Sequence, residues 1–363
     1  MISVIIRSKD EADRLRLTLA SLRRQSVGHE VIVVNDGSSD HTQAMLNAAA
    51  EHQAITIVRH AAPKGRSPAS NAGARIARGE VLLFMDGDTL AAPDLLSRHA
   101  ALHEAEPRAM GRGDVANLRC TRMLLDPETG APQPEHSETL SRRPAAEIER
   151  MRVTMAQVLD DFSAIDRRAE RGVYPGVGPR RLAELEMQAL RDHPDCPVGW
   201  AAATGSNFSV KRDAFVAVGG FDEQLDLNAH RELALRMQKA GGRVRALADA
   251  RSYHLTHRTG WRDPVKQTDW ETLFLAAHPE PAVALQIVFW AGFSQARTLA
   301  PEFQIPDLPA LQAAAESGVS YDAARGQLMA PALGDAFWRR DARPKPSPAE
   351  TASANSAMSA SPL

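Results

Sequence analysis

Val81-Leu82-Leu83-Phe84-Met85-Asp86-Gly87-Asp88 is the stretch that decides how this chain is read. An unbroken run of apolar residues marks a strand covered on both faces. It ends in two carboxylates at i and i+2 around a glycine. At the open end of a buried strand, both would project toward a ligand crevice. Hard oxygen ligands of this kind suit Mg2+ or Mn2+ bridging to a diphosphate. Acidic residues also favour turns, so the Asp-Gly-Asp triplet gains its weight from its setting.

Upstream, Ser3–Ile6 is a short strand, and Ala12, Leu15, Leu19 and Leu22 follow at helical spacing. A second strand, Glu30–Val34, ends at Asn35-Asp36-Gly37-Ser38-Ser39-Asp40, where Ser39 or Asp40 can cap the next helix. Ala54–Val58 reads as a third strand. Pro68 sits in the first turn of a helix running to about Arg78, and Pro93 opens the helix after Asp88. Strand and helix thus alternate four times within the first hundred residues. That rhythm specifies an α/β fold with a mostly parallel sheet, helices on both faces, and ligands beyond the carboxyl ends of the strands.

From about Arg108 the pattern changes. A proline-containing loop leads to a charged helical segment over Ala145–Arg171, a Gly172–Pro179 turn and another helix. Strand-like sequence returns at Asn207–Val210. Leu233, Met237 and Ala240 mark a helix closed by Gly241 and Gly242, and Arg243–His254 reads as one or two strands. These changes divide the chain into an α/β half (1–107), a largely helical insertion (108–198), a second half (199–262), a helical extension (263–339) and a tail (340–363). The tail is rich in Pro, Ser and Ala and is expected to be disordered.

The 363 residues carry a formal charge of −2, with 44% hydrophobic and 24% charged residues. A near-neutral total excludes a nucleic-acid binder that relies on a basic surface. Cys120 and Cys196 make no metal-ligand or redox spacing, which suits a reducing cytoplasm. The apolar run in MISVIIRSKDEADR is too short for a signal peptide, and Ala282–Phe293 is too short to cross a bilayer. A cytoplasmic protein with no transmembrane segment is expected.

Asp36, at the end of the second strand, shares the crevice of Asp86 and Asp88. A carboxylate there can accept from a base N–H or a ribose hydroxyl, or form an Asx-turn with Gly37. His254 and His257 follow the last strand-like segment, and an imidazole can complete a metal shell begun by carboxylates. Residues 202–208, AATGSNF, form a polar turn suited to the acceptor side.

Taken in order, these pieces resemble the family 2 glycosyltransferases of GT-A fold. The matching pieces are Asp10-Glu11-Ala12-Asp13-Arg14-Leu15, Asn35–Asp40, Ser70-Asn71-Ala72-Gly73 and Phe84–Asp88. Gly219-Gly220-Phe221-Asp222-Glu223 and a Leu233…Arg236 helix are similar to a galactosyltransferase-type C-terminal half. The resemblance implies inverting, divalent-metal-dependent transfer from a nucleotide-sugar donor, often a UDP-sugar, to an unspecified acceptor. It implies donor-binding roles for Ser8, Glu11, Asp36, Asn71 and Asp86. Asp86, Asp88 and His254 would be metal ligands, with Mn2+ or Mg2+ as the cofactor.

Three departures stand out. Arg7 replaces a usual proline. Ser70 replaces a frequent arginine, for which Arg66 or Lys64 can supply charge. Ala229-His230 occupies the place of a Glu-Asp pair whose Asp is the catalytic base. His230, Glu232 and Asp226 are therefore the candidate bases, in that order. The lost carboxylate keeps open an alternative: a degenerate, non-catalytic protein that binds a sugar nucleotide or a partner. A nucleotidyltransferase or a dinucleotide oxidoreductase would need a glycine-rich loop after the first strand, and Arg7-Ser8-Lys9-Asp10-Glu11 has no glycine.

Overall fold

A computed structural model of the chain describes residues 1–170, 182–257, 270–286 and 308–318. The expected Gly172–Pro179 turn, Trp261 and the tail after Arg340 lie outside the described residues. Strands and helices alternate as the apolar pattern requires: β1 (Ile2–Ser8), α1 (Ala12–Leu22), β2 (His29–Asp36), α2 (Thr42–Ala50), β3 (Ile55–His60), α3 (Arg66–Ile76) and β4 (Val81–Asp86). Each strand reaches past its apolar run to a polar residue. Ser8, Asp36, His60 and Asp86 therefore occupy the last position of a strand.

β5 (Thr89–Ala91), α4 (Leu95–Ala105) and β6 (Ala109–Asn117) follow, then a small ribbon of β7 (Leu124–Asp126) and β8 (Ala131–Pro132). Four short helices come next: α5 (Ser137–Ser141), α6 (Ala145–Met151), α7 (Met155–Leu159) and α8 (Phe162–Asp166). Beyond them lie α9 (Leu182–Asp192), β9 (Phe208–Lys211), α10 (Arg212–Ala217), α11 (Ala229–Lys239), β10 (Arg243–His254), α12 (Trp270–Ala277) and α13 (Leu308–Glu316).

Eight strands form one sheet in the order β3-β2-β1-β4-β9-β6-β10-β5. β3, β2, β1 and β4 are parallel, as are β6 and β10, whereas β9 and β5 run antiparallel to their neighbours. This is the expected α/β arrangement with a mostly parallel sheet. The period-two alternation of a strand divides the core between the two faces. Val4, Ile6, Leu83 and Met85 pack toward α1 and α4. Ile5, Ile32, Leu82 and Phe84 pack toward Trp200 and Leu233 on the other face.

The structure corrects two expectations and refines two others. Residues 109–117, placed in a loop and helical insertion, are a sheet strand, β6, paired with β9 and β10. The charged helical segment over Ala145–Arg171 contains three short helices, and Thr154 starts the second with a capping box to Gln157. Arg243–His254 is one strand, with a register shift between Leu247 and Arg251. α2 is not capped directly by Ser39 or Asp40, its N-cap being His41. Instead Asp40 accepts from the Thr42 N–H at 2.9 Å and from the Ala12 N–H at 3.3 Å, serving the starts of two helices. Both cysteines are free thiols, Cys196 buried and Cys120 half-buried. No helix among the described residues is long and apolar enough to cross a membrane.

Candidate functional site

The carboxyl ends of the parallel strands gather the polar residues of the site. Immediately after β4, Asp88 is held by its own backbone: its carbonyl accepts from the Leu255 N–H at 2.8 Å. The antiparallel register that sets His254 opposite Thr89 fixes the end of β10 beside it. His257 Nε2 donates to Asp88 Oδ2 at 2.8 Å, and His254 Nε2 lies 3.2 Å from the same oxygen. Gln133, just past the β7–β8 ribbon, donates to the His257 carbonyl at 2.6 Å. The ligand atoms of Asp88, His254 and His257 all lie within 4.8 Å of one another. Burial alone would raise the Asp88 pKa, but the two histidines outweigh it and hold the carboxyl well below the usual range. Burial pushes the His257 imidazole down to about 4 against the pull of Asp88. At neutral pH the set therefore has an ionised carboxylate and a neutral imidazole, the protonation states that metal binding requires.

Asp86, expected among the metal ligands, lies outside this cluster. Arg7 Nε donates to its Oδ1 at 2.7 Å, since Arg7 and Asp86 are register partners at the ends of β1 and β4. Arg7 also donates to the Gly205 carbonyl at 3.0 Å and reaches Ser70 Oγ at 3.5 Å. Arg7 thus brings a guanidinium within reach of position 70. Ser206 Oγ accepts from the Asp86 N–H at 3.1 Å, tying the 202–208 turn to the same strand end. Between the two carboxylates, a Cβ at Gly87 would collide with Glu11 Oε1 and come within 2.9 Å of Ser8 Oγ. The turn thus packs closely against the end of β1 and the start of α1. The Ser8 hydroxyl is buried there without a hydrogen-bond partner.

Asp36 is buried at the end of β2. It accepts from the Lys64 and Gly65 N–H groups, each at 2.9 Å, while His60 Nδ1 lies 2.7 Å from Oδ1. It clamps the loop that enters α3. The Asn71 amide likewise holds the 219–223 turn, donating to the Phe221 carbonyl and accepting from the Phe221 N–H, both at 2.9 Å. Arg66 opens α3, and its N–H donates to Asp226 Oδ1 at 2.9 Å.

The three candidate bases lie at or just before the start of α11. Asp226 is buried in the contact with Arg66. Glu232 is buried and doubly paired with Arg236, at 2.6 and 2.5 Å, and His278 Nε2 lies 2.9 Å away. His230 turns Nδ1 toward Gly205, and Arg231 Nη1 lies 3.1 Å from Nε2. Burial lowers its pKa well below the ordinary imidazole value. The Arg231, Arg7, Arg66 and Arg112 guanidiniums push it the same way. Below it, Glu186 of α9 bridges Arg112 of β6 and Arg231, each at 2.8 Å. Sequence reasoning assigned no role to Arg7 or to the Arg112–Glu186–Arg231 triad. It named His257 beside His254 as an imidazole that can complete a metal shell but expected only His254 as a ligand.

Residues 3–161 match the model of the family described as Glycosyl transferase family 2. The likeness to that family lies in the first part of the chain, from β1 through α7. It is 28% identical over 262 residues to the uncharacterized glycosyltransferase YfnE of Bacillus subtilis, covering 70% of this chain and 64% of that protein. The structure of S. aureus TarS 1-349 in complex with UDP-GlcNAc is 15% identical, with a TM-score of 0.48, covering 80% of this chain and 66% of that one. A mannosyltransferase from Pyrobaculum calidifontis in complex with GDP-Man and Mn2+ is 18% identical, with a TM-score of 0.46, covering 98% and 79%. The chain spans less than two thirds of the length of the B. subtilis relative and of the S. aureus structure.

Proposed function

We propose that this protein transfers a sugar from a nucleotide-sugar donor, a UDP-sugar, to an acceptor with inversion, assisted by a divalent metal. The observation that carries the reading is the Asp88–His254–His257 cluster at the mouth of the parallel strands, one residue beyond the Gly87 turn. Its donor set fits a divalent cation: three converging ligand atoms, an ionised carboxylate and a neutral His257. A cation held there supplies Lewis-acid neutralisation of charge on the departing nucleoside diphosphate. Two imidazoles with one carboxylate suit Mn2+ better than Mg2+, which prefers an all-oxygen shell.

The remaining roles belong to this chain's own side chains. Ser8 and Glu11 flank Gly87 and would line the nucleoside. Arg7 holds Asp86 in place beside the turn. The 202–208 turn, tied to both residues, would wall the acceptor side. On this reading residues 1–107 with β6 bind the donor, and residues 199–262 complete the metal shell and face the acceptor in galactosyltransferase-type fashion. The test is incubation with a panel of UDP- and GDP-sugars and Mn2+, with UDP or GDP release followed by mass spectrometry. Release from UDP-sugars that is lost in Asp88→Asn supports the reading. Intact UDP binding with no release would favour the non-catalytic alternative, and absence of both would refute the reading.

A further inference from the structure

The end of β10 carries the metal-binding histidines, and its alignment on the sheet follows a break in the ladder. Leu247 pairs with Gly113 of β6, but the next pair is Arg251 with Asp114. Ala248, Asp249 and Ala250 therefore bulge out with no added residue on β6 to face them. Beyond the break the register runs on to His254, opposite Asn117 of β6 on one side and Thr89 of β5 on the other. A slip of one residue would turn His254 to the opposite face of the sheet, away from Asp88. Bulges re-aim side chains beside active sites, and they leave backbone groups of the broken ladder to be satisfied from elsewhere.

Asn207 fills the break. It is fully buried at the end of the 202–208 turn, directly before β9, with a φ of +56° in the left-handed region that asparagine tolerates. Its Nδ2 reaches the Ala250 carbonyl at 2.8 Å, the Asp114 carbonyl at 3.1 Å and Ser252 Oγ at 3.1 Å, one group from β6 and two from β10. Carbonyls only accept, so the amide nitrogen is the atom that faces them. Oδ1 turns the other way and accepts from His99 Nε2 at 2.8 Å. That bond fixes the His99 tautomer, so its Nδ1 accepts from Ser209 Oγ at 2.7 Å. Ser209 Oγ in turn accepts from His103 Nε2 at 2.8 Å. Gly113 leaves room for the amide, with which a Cβ there would collide, and its N–H donates to the Asn207 carbonyl at 2.9 Å.

We infer that Asn207 is a positioning residue for the divalent-metal site, an assignment that rests on the metal-dependent transfer reading above. Its amide holds the offset of β10 on β6 that presents His254 and His257 to Asp88. The same residue continues into Ser206 and Gly205, whose hydroxyl and carbonyl accept from the Asp86 N–H and from Arg7. One side chain thus aligns the metal ligands with the 202–208 turn, and a disturbed offset moves the histidines off the carboxylate.

The test measures Mn2+ binding by the full chain without nucleotide, from the electron paramagnetic resonance of free Mn2+, alongside thermal unfolding. Asn207→Gly keeps the positive φ without strain and removes the side chain. Groups that orient metal ligands from outside the shell contribute ~10–100-fold to affinity, so Mn2+ affinity should fall by about that factor in the folded variant. Ser252→Ala removes one acceptor and leaves the backbone intact. It should lose affinity by a smaller factor, and it decides the question if Asn207→Gly does not fold. His103→Gln alters the far end of the same buried chain and should lower stability while keeping Mn2+ affinity. The visible spectrum of bound Co2+ should change in Asn207→Gly and not in His103→Gln, because only the first moves an imidazole. Unchanged Mn2+ affinity in folded Asn207→Gly, or in Ser252→Ala where only that variant folds, overturns the inference. An equal loss in His103→Gln overturns it as well. A wild-type protein that binds no Mn2+ would instead refute the reading on which it rests.

Discussion

Replacing Glu186 by glutamine isolates a buried charge whose worth can be worked from its neighbours. Glu186 on α9 joins Arg112 of β6 and Arg231 of α11, each contact at 2.8 Å, and the three side chains are only 10%, 5% and 4% exposed. One carboxylate thus serves two guanidiniums, and the Arg112 Nε has no hydrogen-bond partner at all. The amide keeps the shape and one acceptor oxygen but leaves two buried cations facing an NH2 group. Removing one partner of a buried pair costs about 3–5 kcal/mol, because the remaining charge is uncompensated. Whole domains have a stability of roughly 5–15 kcal/mol, so a loss of about 3–5 kcal/mol is a large fraction of it. Urea unfolding followed by tryptophan fluorescence, which reports on Trp200 in the adjoining core, should show the midpoint fall with m unchanged. Replacing Arg112, Glu186 and Arg231 together by apolar residues should recover much of the loss, since it removes all three charges rather than stranding one. A Glu186→Gln loss below about 1 kcal/mol, the range of solvent-exposed pairs, would refute the reasoning.

Two further predictions concern the sheet and its strand ends. Burial, opposed by the bond to Asn207, holds the His99 imidazole down to about 4. Burial, with charge from His99 and Lys211, brings His103 to about 4 as well. The unfolded chain binds these protons first, so stability is full above about pH 6.5 and falls as pH drops toward 4, by up to roughly 3 kcal/mol per histidine. Chemical denaturation at pH 7 and pH 4.5 should show this loss, and His103→Gln should reduce it; an identical pH profile in the variant would contradict the assignment. In a double-mutant cycle, Arg7→Met and Asp86→Asn should couple by about 1 kcal/mol in stability, modest because the Asp86 side chain is 37% exposed. Additivity within a few tenths of a kcal/mol would mean that the pair does not act as one unit.

The first half of the fold was legible because β1, β2 and β4 are apolar runs that end in polar residues, and α1 is helically periodic. β6 was not, because its sequence, Ala109-Met110-Gly111-Arg112-Gly113-Asp114, is dictated by its neighbours rather than by strand propensity. A Cβ at Gly111 would sit 2.5 Å from Ser209 Oγ, and one at Gly113 would collide with the Asn207 amide. Small residues are required there, and they erase the β-branched signature. In the site, Asp88 and His254 were legible as a pair. That His257 converges on the same Asp88 oxygen depends on the pairing of β10 with β5, which no local pattern announces. The reassignment of Asp86 to Arg7 follows from the register of β1 on β4. A substitution at position 7 alone did not disclose it.

The central claim is that Asp88, His254 and His257 hold a divalent cation that a nucleoside diphosphate shares. Calorimetric titration of UDP with and without Mn2+ tests it most directly, in the wild-type protein and in Asp88→Asn, His257→Ala and Asp86→Asn. UDP affinity should rise with Mn2+ in the wild type and in Asp86→Asn, collapse on adding EDTA, and show no Mn2+ dependence in Asp88→Asn or His257→Ala. UDP binding of equal strength with and without metal, or a metal effect that survives in Asp88→Asn, would contradict the account.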